Sequence, residues 1–236
     1  MLSPQVLKRV VTALKPYASC DVADALTRLK HKGGGFLPGI VMHSPQYQEG
    51  DAKIVGPAHT VKFRHNADKG FAPQIEGHYI DKTPSDHVLF LAPPANITNA
   101  VYGEIMSARL QRLGAVGTVI AGRLRDANEQ RQMNWPVFAR GVGTTAGGDA
   151  CFPSEMGVAV ELEHTEGGKV FKNTINPGDI IIADANGVVA IPHGLAEKVV
   201  EIVPQLVKAD QACLKDVLDG RSVTETFKDH RGRLQC

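Results

Sequence analysis

The sequence predicts an α/β fold in which a mixed sheet is flanked by helices at both termini. Three observations carry this. The apolar runs "DHVLFLA" (86–92) and "VGTVIAG" (116–122) have the length and β-branched content of buried strands, and they bracket a segment with helical spacing. Short strands separated by turn signals fill residues 157–192. Amphipathic helical stretches occupy both ends, where they can cover the sheet.

Taken in order, residues 5–14 put Val6, Leu7, Val10, Val11 and Leu14 on one stripe, the pattern of a helix with one buried face. After Pro16, Ser19 stands where it can cap a second helix, "CDVADALTRLK", which the "KGGG" breaker ends. "AKIVGPAHTVKFRH" (52–65) reads as a strand with a Gly-Pro irregularity, and His59 on it reads as a core or sheet-face residue. "NAVYGEIMSARLQRLG" (99–114) has helical spacing through Val101, Ile105, Ala108 and Leu113, with Gly114 as its stop. "WPVFARGV" (135–142) gives a further strand. "GVAVELE", "KVFKNTINPGD", "IIIADANG" and "VVAIP" then form an antiparallel meander. Residues 194–220 make a long helical region in which Pro204 offers a bend. The strand–helix–strand portion in the middle suits parallel pairing. No repeat, low-complexity tract or linker divides the 236 residues, so one domain over 1–236 is expected.

Composition excludes several functions. A net charge of +1 leaves no electrostatic footprint for nucleic acid or an anionic membrane, and "KDHRGR" near the C-terminus reads as a solvated tail. No apolar run approaches the roughly 20 residues that span a bilayer, and the N-terminus lacks the features of a secretory signal. The four cysteines, Cys20, Cys151, Cys213 and Cys236, show no paired spacing and suit reduced thiols in a cytoplasmic protein. No HxxxH or HExxH occurs. Glycines around "GAVGTVIAG" do not form a dinucleotide turn, and "KGGGF" lacks the Lys-Ser/Thr of a phosphate loop.

Three features carry chemistry. In "VIAGRLRDANE" (119–129) a buried strand ends at Gly122 and is followed by Arg125 and Asp126. At the carboxyl end of a strand, Arg can grip a carboxylate through two parallel hydrogen bonds and Asp can hold a hard divalent cation. The competing structural reading makes Asp126 the N-cap of the next helix, with Glu129 completing a box and the arginines at the surface. In "YGEIMSAR" (102–109), Gly103 and Glu104 start a helix whose free amides suit an anion, while Glu104 is equally a first-turn acid. Asp210, in "LVKADQA", reads by itself as a solvated helix position. Cys151 has no assigned His partner, which leaves a nucleophilic cysteine without support.

These blocks in this order resemble the RraA-like family, which holds class II 4-hydroxy-4-methyl-2-oxoglutarate and 4-carboxy-4-hydroxy-2-oxoadipate aldolases, oxaloacetate decarboxylases and regulators of ribonuclease activity. "CDVADALTRL", "IVGPAHTVKF", "YGEIMSARLQRLGAVGTVIAGRLRD", "WPVFARG" and "NPGDIIIADANGVVAIP" carry the resemblance, with Gly122–Asp126 as its most specific element. It implies an α-β-β-α sandwich around a small mixed β-barrel, with residues 1–35 as N-terminal helices and 194–220 packing at a subunit interface of a homotrimer or hexamer. It implies that Arg125 binds a pyruvoyl group, that Asp126 holds Mg²⁺ or Mn²⁺, and that the backbone of Gly103, Glu104, Ile105 and Met106 cradles the substrate carboxylate. Glu104 and Asp210 would lie in the outer shell of the metal, Asp210 from a neighbouring subunit.

The expected activity is a cytoplasmic, divalent-metal-dependent C–C lyase on small 2-oxo acids. It would perform retro-aldol cleavage or oxaloacetate decarboxylation through a metal-bound pyruvate enolate, with no nucleic-acid or membrane partner. The alternatives are a non-catalytic regulatory protein and a related lyase or tautomerase of a specialised pathway. The sequence departs from the family's pattern at Ala121, where many members have Asp, at "PSDH" (84–87) in place of Pro-Gly-Asp, and through "TTAGGDACFPSEMG" (144–157).

Overall fold

Runs of β-branched and aromatic residues that alternate poorly must be buried on both faces, and they form the middle of the sheet. The computed structural model describes residues 2–68, 70–71, 73–166 and 168–232. It opens with helices α1 (Pro4–Leu14) and α2 (Ser19–Arg28), then strands β1 (Val41–Ser44), β2 (Ile54–His65), β3 (Val88–Ala92) and β4 (Ala100–Tyr102). Helix α3 (Glu104–Leu113), β5 (Gly117–Leu124), α4 (Ala127–Gln132) and β6 (Val137–Val142) follow. The second half contains β7 (Cys151–Met156), β8 (Val160–Glu166), β9 (Lys169–Ile175), β10 (Ile180–Asp184) and β11 (Gly187–Ile191), then α5 (Ala196–Leu218) and α6 (Val223–His230).

The main sheet runs β1-β6-β5-β3-β2-β10-β11, with β4 beside β5 and β7 beside β2. The pairs β2–β3, β3–β5, β5–β6 and β4–β5 are parallel; β1, β7, β10 and β11 pair antiparallel. The two ends of the row, β1 and β11, pack on each other, which curls the sheet into a nearly closed barrel. Strands β8 and β9 form a separate antiparallel hairpin. Phe90, Phe138, Met42 and Ile181 fill one core of the barrel, while Leu89, Leu91, Ile120 and Leu110 fill a second one beneath α3. Helices α1, α2 and α5 close a third core over Ile180, Ile182 and Val189. The mixed sheet and terminal helices are therefore those that the sequence predicts.

Several local expectations are corrected. The segment from residue 99 does not start as a helix: Ala100–Tyr102 is a buried strand beside β5, and α3 starts only after Gly103. Sheet burial of Val101 and Tyr102 outweighs their helical spacing. Ser19 does not cap α2; the cap position is Ala18, whose amide donates to Asp21, and Ser19 donates from both its amide and its hydroxyl to Asp184. Helix α5 continues through Pro204. The supposed solvated tail is partly helical: α6 folds back on α5, with Arg231 donating to Asp210 and His230 meeting Asp216. Cys236 lies outside the described residues, whereas Cys20, Cys151 and Cys213 are free thiols.

One buried polar network ties the second core together. Thr118 donates to the Tyr102 hydroxyl at 3.0 Å, Tyr102 meets Ser107 at 2.7 Å, and Trp135 donates to Thr118 at 3.2 Å. Ser107 in turn donates to the fully buried Gln130 of α4. Burial away from water pushes the Tyr102 hydroxyl up to about 12, so it stays protonated and serves only as a hydrogen-bonding group. Tyr102→Phe leaves two buried hydroxyls short of a partner and should cost roughly 1–3 kcal/mol, measured as a lowered urea midpoint at unchanged m-value.

Candidate functional site

The residue after β5 decides the geometry of the site. Asp126 occupies the N-cap position of α4, but with left-handed backbone (φ 58°, ψ 45°) and no side-chain bond to its own helix. Its carboxylate crosses instead to α3, where Oδ2 accepts the Glu104 amide at 3.1 Å. The box with Glu129 that the sequence suggests is therefore absent. Asp tolerates left-handed backbone better than most residues, and the first-turn amide of another helix is a donor with no partner in its own helix. The Arg125 Nε lies 3.4 Å from the same oxygen. The other carboxylate oxygen, Oδ1, has no hydrogen-bond partner among the described residues.

Gly103 makes this crossing possible. Its backbone is extended (φ −145°), open to any residue, but an added Cβ would collide with Asp126 Oδ2 and press on Arg125. Of the four amides from Gly103 to Met106, that of Glu104 is held by Asp126 and that of Met106 donates to the Gly103 carbonyl at 3.2 Å. Those of Gly103 and Ile105 have no acceptor among the described residues. The two arginines of the motif separate in function: Arg123 donates to the Val142 carbonyl at 2.8 Å and ties β5 to β6, while Arg125 turns to the site.

Gly103, Glu104, Ile105, Met106, Arg125 and Asp126 all line one cavity of about 710 Å³. This brings together every site residue that the sequence suggests except Asp210. Asp210 lies on α5, paired with Arg231 at 2.7 Å, and does not line the cavity. The rest of the wall escapes sequence reasoning. It comprises buried Phe63, Tyr79, Ile80 and Val101, the His78 ring stacked on Tyr79, and Ala146, Gly147, Cys151 and Pro153. The last four lie in the 144–157 segment, whose departure from the family's pattern was the one available signal. Asn99 and Ala100 anchor that segment by donating to the carbonyls of Ala146 and Thr145, each at 2.8 Å. Burial raises the Tyr79 phenol far above its usual range, and its hydroxyl donates to the Met106 sulfur at 3.4 Å. Burial also pushes the Cys151 thiol up to about 11.

Gly103→Ala should displace the Asp126 and Arg125 side chains at little cost in stability, because both are flexible and partly exposed; circular dichroism and ligand titration would show the fold retained and binding lost. A thiol held near 11 is almost entirely protonated at pH 7.5. Iodoacetamide should therefore label Cys151 roughly 100-fold more slowly than an unperturbed thiol, read by peptide mass mapping.

Comparison with known proteins places these residues in context. The chain is 27% identical over 227 residues to Protein DlpA of Legionella pneumophila, covering 96% of this chain but only 34% of that protein, so it spans about a third of its length. It is 28% identical over 210 residues to a Halalkalibacterium halodurans protein named as a candidate 4-hydroxy-4-methyl-2-oxoglutarate aldolase, covering 89% of each. The fold is shared with Streptomyces coelicolor RraAS2, described as an unusual member of the RNase ES inhibitor RraA family. That match has a TM-score of 0.67 at 22% identity and covers 90% of this chain and 96% of that one. The Aldolase/RraA family model matches residues 19–190, which contain the whole lined cavity, and the chain belongs to the RraA-like family.

Proposed function

We propose that the protein is a divalent-metal-dependent C–C lyase acting on 2-oxo acids. It would cleave 4-hydroxy-2-oxo acids by retro-aldol chemistry, decarboxylate oxaloacetate, or do both. The observation that carries this is the Asp126 carboxylate, which lines the cavity with Arg125 alongside: one oxygen is fixed by the Glu104 amide and the other has no partner among the described residues. Among the described residues no cluster of three or more His, Cys, Asp or Glu side chains is arranged for a metal. Mg²⁺ or Mn²⁺ would be held by Asp126 with Glu104 nearby, since such ions keep several waters and need only one or two carboxylates. Bound there, the cation supplies Lewis-acid stabilisation of negative charge on the 2-oxo oxygen.

The residues of the chain do the rest. Arg125 grips the substrate carboxylate, aided by the free amides of Gly103 and Ile105 at the positive end of α3. In the cleavage, the 4-hydroxyl proton passes to a water oriented by Glu104, and the C3–C4 bond breaks. Its electron pair moves onto C3 and the 2-oxo oxygen, and the C4 fragment leaves as a carbonyl compound. Oxaloacetate loses CO₂ by the same electron movement. In this reading the chain is cytoplasmic and assembles as a homotrimer or hexamer. Asp210 of α5 then approaches the cation of a neighbouring subunit and must leave its pairing with Arg231. A purely regulatory member of the family would show no turnover.

Pyruvate release from oxaloacetate and from 4-hydroxy-4-methyl-2-oxoglutarate should require Mg²⁺ or Mn²⁺ and vanish with EDTA. Asp126→Ala and Arg125→Lys should each lower kcat/KM by roughly 100-fold or more with the fold unchanged. Metal-independent turnover, or no metal-dependent pyruvate release from these two substrates or from the monocarboxylic 4-hydroxy-2-oxo-4-phenylbutanoate, would refute the proposal.

A further inference from the structure

Apart from its charged residues the cavity wall is largely apolar. It includes Phe63, Tyr79, Ile80, Val101 and Cys151, all under a tenth exposed, together with Pro153. The polar atoms in that wall are already committed or weak: the Tyr79 hydroxyl donates to the Met106 sulfur, and the Cys151 thiol is a poor donor. Besides Arg125, the only Arg or Lys among the described lining residues is Arg109, and its Nε is held by Asp81 at 2.6 Å. His78 stacks on Tyr79, and its Nδ1 accepts the Ile80 amide at 3.3 Å.

Charge counting points the same way. The lining holds three carboxylates, Asp81, Glu104 and Asp126, against two guanidiniums, Arg109 and Arg125. A divalent cation, with Asp210 of a neighbouring subunit approaching it as proposed above, brings these charges to balance, and the cation with Arg125 offers a place for one substrate carboxylate. A second carboxylate would meet the apolar wall or, at best, the half-exposed Arg109 that already pairs with Asp81, and charge set against apolar surface without a partner is disfavoured.

We infer that the substrate is a monocarboxylic 4-hydroxy-2-oxo acid with an alkyl or aryl substituent on C4, rather than a dicarboxylate. This rests on the lyase reading of the same site. The volume of about 710 Å³ accommodates an aromatic ring beside the pyruvoyl group. The wall that would select it includes the 144–157 segment, through Ala146, Gly147, Cys151 and Pro153.

The test compares kcat/KM for 4-hydroxy-2-oxo-4-phenylbutanoate and 4-hydroxy-4-methyl-2-oxoglutarate on the intact assembly with Mg²⁺. Exchange of the pyruvate methyl protons in D₂O, followed by NMR, reports whether the pyruvoyl end of the site works at all. The expected result is metal-dependent exchange with at least about tenfold preference for the phenyl substrate, and a shift of that ratio towards the dicarboxylate in Pro153→Arg. Exchange with the dicarboxylate preferred would overturn the inference alone; a neighbouring subunit that supplied the missing cation would give this result. If metal-dependent exchange and metal-dependent cleavage of both substrates are absent, the lyase reading fails and the inference with it.

Discussion

The hydrogen bond from the Glu104 amide to Asp126 is the constraint on which the rest of the site depends. It joins two chain segments that approach each other only because β4 and β5 run parallel and end at the same level of the sheet. Three local conditions must hold together: left-handed backbone at Asp126, a missing side chain at Gly103, and a helix that starts at residue 104 rather than earlier. Each is unremarkable alone. Together they leave a carboxylate half satisfied and half available, next to a guanidinium. Non-glycine residues with left-handed backbone are uncommon and gather where geometry serves a site.

The cavity wall combines two kinds of surface. Amides without an acceptor among the described residues, Arg125 and carboxylates create a place where charge can be matched. Buried aromatic and aliphatic side chains offer shape instead, and the two kinds meet at α3, where the Tyr79 hydroxyl touches the Met106 sulfur. All of this wall lies within the family match, and part of its apolar surface, Cys151 and Pro153, comes from β7, next to Ala146 and Gly147 of the loop after β6. Loops on a rigid scaffold are where selectivity is most easily altered without disturbing the core.

The fold class was legible because β3 and β5 carry the length and β-branched content of buried strands, and α1 and α5 carry clean helical stripes. What escaped was local and set by tertiary contacts. Val101 fits a helical stripe and also a sheet, and only the neighbouring β5 decides for the sheet. Asp126 carries a good N-cap sequence, but the competing donor on α3, the Glu104 amide, lies 22 residues away in the chain and is invisible to spacing. Arg125 and Asp126 were recognisable as a pair, whereas Phe63, Tyr79 and Cys151 come from separate strands and turns with no shared motif. Asp210 remains paired with Arg231 within the chain, a contact that depends on α6 folding back.

The buried Ser107–Gln130 contact has a mechanical consequence. Helices α3 and α4 are joined at their starts through Asp126 and Glu104, and again one turn further along through Ser107 and Gln130. Two bodies joined at one point can swivel in any direction; joined at two points they can turn only about the line between them. The second joint, Ser107 with Gln130, lies outside the cavity lining, so the spacing of guanidinium, carboxylate and amides is restrained in part from behind the wall. Selection on the interior of this protein is thus also selection on the precision of its mouth.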